Sequence, residues 1–130
     1  MKFDLENLNP GVFFPFNDED GGGVEVRLAN GLKLDEINKK CSKKKVEFRK
    51  GARHEFIEEN EEKRSELLWD YVIVNWKGIK DLDGNEIACT TENKVKLMRG
   101  SVEFATIVGS CIEKLSEEVE SKEAVLEKNG

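Results

Sequence analysis

At 130 residues the chain is long enough for one hydrophobic core and, by default, one domain. Charged residues make up 37% of it and the net charge is −6, which opposes broad attraction to a phosphate backbone. Met1-Lys2-Phe3-Asp4 lacks the charged-then-apolar order of a signal peptide, and no apolar run approaches the roughly 20 residues of a membrane span.

Asn9-Pro10-Gly11 reads as a turn. Val12-Phe13-Phe14-Pro15-Phe16 is bulky and extended, and Pro15 fits only an edge strand or its end. Asn17 to Gly23 reads as a flexible loop, and Val24-Glu25-Val26-Arg27-Leu28 alternates with the period of a half-buried strand. Residues 12–28 are therefore expected to form a β-hairpin with a long glycine-rich connection.

Leu32, Leu34, Ile37 and Cys41 predict a helix over about residues 33–43 that runs into the cluster Lys39-Lys45. Cations at a helix C-terminus suit its dipole. Val46-Glu47-Phe48-Arg49 alternates again, and residues 46–57 read equally as strand or loop. An acidic lead-in, Glu55 to Glu66, precedes the most apolar stretch of the chain, Leu67 to Trp76. Spacing there predicts one helix from near Glu59 to Trp76, capped by Gly78. A helix apolar nearly all round is buried or lies at a subunit contact, so a homo-oligomer is open.

Asp81-Leu82-Asp83-Gly84-Asn85 is a turn. Thr90 or Thr91 is placed to cap a helix that Gly100 stops, and Ser101 to cap the last one. Phe104, Val108, Ile112, Leu115 and Val119 form one apolar stripe on that last helix. From Ser116 the composition turns to Glu, Lys and Ser, and Val125 and Leu126 are the only apolar pair left to dock on a partner. The fold expected is α+β, mainly α, with a short N-terminal hairpin packed against three to four helices. Residues 1–115 form its single domain, with the hairpin at about 12–28 and the helical part at about 32–115. Residues 116–130 make a charged helical or frayed extension.

Candidate chemistry is sparse. Cys41, Cys89 and Cys111 are an odd number at no ligand spacing, so reduced, buried thiols are the plain reading. His54 is the only histidine, which removes the usual nucleophile–base pairs. Asp81, Asp83, Asn85 and Glu92 reproduce positions one, three, five and twelve of a calcium loop. Against calcium stand Glu86, where such loops carry glycine, and Ala88 at the position that pairs loops; a structural turn is the better reading. Lys39-Lys45 could touch nucleic acid in a small regulator, but it lacks interleaved aromatics and lies beside an acidic segment. Phe13, Phe14, Phe16, Trp69, Ile73 and Trp76 are the candidate partner-binding residues, because aromatic anchors dominate interfaces. No enzyme, metal or cofactor is expected.

The order of an aromatic hairpin, an acidic helix with an aliphatic-aromatic end, and Trp76-Lys77-Gly78-Ile79-x-Asp81-x-Asp83-Gly84-x-Glu86-Ile87 is distinctive. Thr90-x-Glu92-Asn93-Lys94, Phe104 and a charged C-terminal helix follow. In these features the chain resembles the tail assembly chaperones of long-tailed bacteriophages and prophages, over about residues 10–115. The resemblance implies a mainly helical, non-enzymatic protein of the host cytoplasm, absent from the mature virion. It would keep the tape-measure protein soluble and recruit major tail (tube) subunits.

Overall fold

The computed structural model describes the backbone of residues 1–129 and the side chains of residues 1–122. In chain order the elements are β1 (Val12–Pro15), β2 (Gly23–Val26), α1 (Gly31–Cys41), β3 (Ser42–Arg49), β4 (Ala52–Glu59), α2 (Glu61–Val72), β5 (Ile73–Lys77), α3 (Thr91–Gly100) and α4 (Val102–Asn129). The α+β class and the N-terminal hairpin are as expected. The chain divides into two compact units, Met1–Leu28 with Trp69–Gly130, and Ala29–Leu68, so the second is inserted into the first.

The first unit is built on an antiparallel sheet of order β1-β2-β5. Its register sets Val12, Val26 and Ile73 on one face together with Phe14, Val24 and Trp76. Phe13, Glu25 and Asn75 take the other face. Val24, Val26 and Ile73 are fully buried and Trp76 nearly so. The core is closed by α4, which buries Phe104, Val108, Cys111 and Leu115 and packs on β2. The Trp76 and Phe104 rings meet edge to face, centroids 5.6 Å apart. Of the expected stripe, Ile112 is only half-buried and Val119 is exposed; Cys111 takes the inward place.

Here the expected helix to Trp76 is corrected. α2 stops at Val72 and the chain continues as β5. Ile73, Val74 and Trp76 are β-branched or aromatic, and pairing with β2 buries them better than another helical turn would. Leucines and charged helix formers occupy the preceding turns, so the helix is right there and wrong beyond. Gly78 is accordingly no helix cap: it ends β5 with φ +71°.

The glycine-rich connection differs from expectation at its last residue. Gly23 belongs to β2, and Phe16 N–H donates to the Gly22 carbonyl at 2.9 Å. A Cβ on Gly23 would come within 2.3 Å of the Phe13 ring, so Gly23 is packed in the sheet, while Asn17 to Gly22 form a loop as expected. Asp18 Oδ1 accepts from Gly22 N–H at 3.3 Å, and Lys80 pairs with Asp20 at 3.1 Å, fixing the connection.

Thr90 and Ser101 cap α3 and α4 as expected: Thr90 Oγ1 accepts from Asn93 N–H and Ser101 Oγ from Phe104 N–H. α4 continues unbroken to Asn129, with no change of structure at Ser116. The side chains of Val125 and Leu126 lie outside the described residues.

The second unit opens with α1, whose cap is Asn30; its Oδ1 accepts from Lys33 N–H at 2.9 Å. Ile37 and Cys41 are its buried side chains. Lys39 and Lys40 lie in its last turn as expected, but the helix ends at Cys41 and Lys43 to Lys45 lie beyond it. Ser42 to Arg49 is strand β3; of the acidic lead-in, Glu55 to Glu59 close strand β4 and Glu61 to Glu66 open α2, two residues after the expected helix start. Lys50 and Gly51, at φ 51° and 79°, form the two-residue turn between them. Two consecutive positive φ values match the right-handed strand twist, which is why a glycine sits there.

Candidate partner-binding surfaces

Strands β3 and β4 form a separate two-stranded sheet, and every residue of β4 is exposed. Directly opposed residues share a face: Lys44 lies opposite Ile57, Val46 opposite Glu55 and Phe48 opposite Arg53. The other face carries Lys43 with Glu58, Lys45 with Phe56 and Glu47 with His54. Phe48 is 73% and Ile57 68% exposed, large values for such side chains. Val46 is exposed on the same face and Phe56 on the other. A groove of about 610 Å³ runs along Lys39, Lys43, Lys44, Glu55, Phe56 and Ile57.

Charge on this ribbon is largely cancelled across the ladder. Lys44 pairs with Glu55 at 3.2 Å and Lys45 with Glu58 at 2.6 Å. Both pairs are exposed and add little stability. They do place carboxylates beside the lysines that a nucleic-acid backbone would need, which weakens the field of the cluster.

The first unit presents a smaller surface. Phe13 is 44% exposed on the solvent face of its sheet, with Lys77 Nζ 5.1 Å from its ring centroid. Phe14 and Phe16 are half-buried. Phe16 borders a cleft of about 420 Å³ that Ile79, Leu97, Phe104 and Ile107 also line. Trp69 is half-buried, with the Arg99 guanidinium 5.4 Å from its ring centre. Ile73 and Trp76 are in the core, so their side chains are not offered to a partner. Of the six aromatic and aliphatic candidates, Phe13 alone is exposed.

One cluster gathers an acid, an amine, a hydroxyl and a thiol. Lys94 is only 7% exposed, and its Nζ donates to the Asp70 carbonyl at 3.1 Å and to Asp70 Oδ1 at 3.2 Å. Thr91 Oγ1 donates to the same Oδ1 at 2.6 Å. Burial pushes the nearby Cys89 thiol up from its ordinary range, against the opposing pull of Lys94, so it is not activated as a nucleophile. Cys111 is likewise raised by burial. The cluster ties the start of α3 to the end of α2. Asp70→Ala, which leaves the Lys94 ammonium without its carboxylate, is expected to destabilise by about 1–3 kcal/mol. Adding Lys94→Met should recover most of that loss, read by urea denaturation of the single and double variants.

Asp81, Asp83, Asn85 and Glu92 are placed as a turn would place them. Asp81 Oδ1 accepts from the Asp83 and Asn85 amides, each at 3.0 Å, and Gly84 has φ +83°. Glu92 lies in the first turn of α3. Among the described residues no group of three or more His, Cys, Asp or Glu side chains is arranged to hold a metal ion. Among them, too, no helix is long and apolar enough to cross a membrane. His54 is an exposed residue of β4, opposite Glu47.

The model of the YdaY prophage protein family matches residues 25–129, which takes in both strands of the exposed ribbon. The chain belongs to that family. No curated protein and no solved structure matches it. The YdaY match accounts for the phage character that the sequence resemblance implied.

The exposed ribbon is the feature that sequence reading left undecided in this YdaY-family chain, between strand and loop. Its signal was present: alternation in Val46-Glu47-Phe48 and a Lys50-Gly51 pair between two runs of equal length. Lysine and glutamate, poor strand formers, masked it.

Proposed function

We propose that this prophage protein works by binding another polypeptide, in the manner of a tail assembly chaperone. The observation that carries the reading is the β3–β4 ribbon, exposed along both strands and bearing Val46, Phe48, Phe56 and Ile57 at its surface. Exposed apolar side chains rimmed by charge are what a client with apolar helical stripes requires. The client of this reading is the tape-measure protein, with major tail (tube) subunits recruited to it, in the cytoplasm of the bacterial host. The protein stays behind when the virion is complete. Its role is to cover surface and not to turn over a substrate.

The test is co-expression with the neighbouring prophage tail proteins. The long helical tail protein should remain in the soluble fraction and co-purify with this chain. Phe48→Ser with Ile57→Ser should weaken the complex roughly tenfold or more, while the circular dichroism of the free protein is kept. A tail protein that precipitates equally with and without this chain overturns the reading.

A further inference from the structure

We propose that two copies of this chain join through the free edge of β4, antiparallel about a two-fold axis at Phe56, into a four-stranded sheet. The ribbon has only two strands, and its outer edges carry unpaired backbone groups. A lone two-stranded ribbon is marginal in water, and a pair of ribbons joined edge to edge is not. Both faces of β4 are exposed along its whole length, so its edge is open to a second strand.

Charge selects the occupant and the register. Alternate residues of β4 already turn their backbone groups toward β3, so directly opposed residues across its free edge are both odd or both even. A two-fold axis therefore passes through a residue facing its own copy. Centred on Glu55, two carboxylates meet; centred on Ile57, Glu55 meets the partner's Glu59. Centred on His54, the ladder shortens. Centred on Phe56, Arg53 lies opposite the partner's Glu59 and His54 opposite the partner's Glu58. The two Phe56 rings then face each other on the axis, and Glu55 lies beside the partner's Ile57. Opposite charges and paired aromatics directly across a ladder are the favourable cross-strand contacts.

The other edges fit less well. β3 paired with itself about Lys45 sets lysine on lysine, and about Val46 sets Lys43 against the partner's Arg49. Lysines on an outer strand are a usual guard against such pairing. β3 against the partner's β4 matches in charge but leaves the same two edges open, and so grows without closing. Only the β4 pairing is both complementary and closed. It also brings Val46, Phe48 and Ile57 of both copies onto one face of the sheet.

Sedimentation equilibrium on the full chain tests the pairing. The wild-type protein is expected to dimerise. Arg53→Glu and Glu59→Arg, both at exposed side chains, should each raise the dissociation constant on the order of tenfold or more. An equimolar mixture of the two variants should associate as tightly as wild type, because each reversed charge then meets its opposite. The double variant R53E/E59R should dimerise alone, and circular dichroism checks that every variant is folded. A chain monomeric at every concentration, a dimer indifferent to the reversals, a mixture no tighter than its components, or growth beyond two copies each overturns the proposal.

Discussion

Trp76→Ala is expected to lower the stability of the first unit by about 3–5 kcal/mol, the range for deleting a buried indole. The ring is 7% exposed and meets Phe104 edge to face at a centroid separation of 5.6 Å. Its Nε1–H donates to the Ile87 carbonyl at 2.7 Å, so truncation also strands an acceptor in the segment between β5 and α3. Trp76→Phe separates the two contributions. It keeps an aromatic against Phe104 and removes the donor, for an expected loss of about 1–2 kcal/mol beyond the smaller ring's packing. Urea denaturation followed by far-UV circular dichroism reads both. A midpoint unmoved in Trp76→Ala would mean that the ring is a surface anchor, as a helix through Trp76 allowed.

That helix shows where sequence reasoning stops. Over Glu61 to Val72, the helix-forming Glu, Lys, Arg and Leu and the apolar spacing agree, and the helix is there. Over Ile73 to Trp76, spacing still fits a helix while β-branching favours a strand, and the decision falls to a partner strand 50 residues away in sequence, β2. No local window contains that partner. The caps at Asn30, Thr90 and Ser101, by contrast, act within three residues of themselves. α3 and α4 therefore begin as their caps predict, and α1 begins just after Asn30, two residues ahead of the expected start.

The candidate surface was legible in kind and not in place. Aromatic and aliphatic residues were singled out as partner-binding candidates, but the core claims Ile73 and Trp76, and Phe14, Phe16 and Trp69 are half-buried. The exposed apolar side chains of β3 and β4 are interleaved with lysine and glutamate, which lowers their apparent hydrophobicity in any window. Their alternation becomes visible as a surface only once the register pairs Lys45 with Phe56 and Lys44 with Ile57. The segregated charge is divided between elements: Lys39 and Lys40 end α1 and Lys43 to Lys45 lie on β3, while Glu55, Glu58 and Glu59 lie on β4 and Glu61, Glu62 and Glu66 on α2.

Gly78→Ala should cost about 2–5 kcal/mol, far more than alanine after an ordinary helix end. Two effects add there. The backbone sits at φ +71°, where a Cβ is disfavoured by about 1–2 kcal/mol. A Cβ would also stand 2.5 Å from Gly22 Cα and 3.0 Å from Gly22 N, main-chain atoms that cannot swing aside. Gly84 supplies the control, since it has φ +83° and no atom within 4 Å of a Cβ. Gly84→Ala should therefore show the conformational effect alone, about 1–2 kcal/mol. The difference between the two variants in urea denaturation measures the close approach of the Gly22 turn to the end of β5. If the two lose equal stability, that approach is absent, and Gly78 is only a residue of left-handed conformation such as a helix cap would supply.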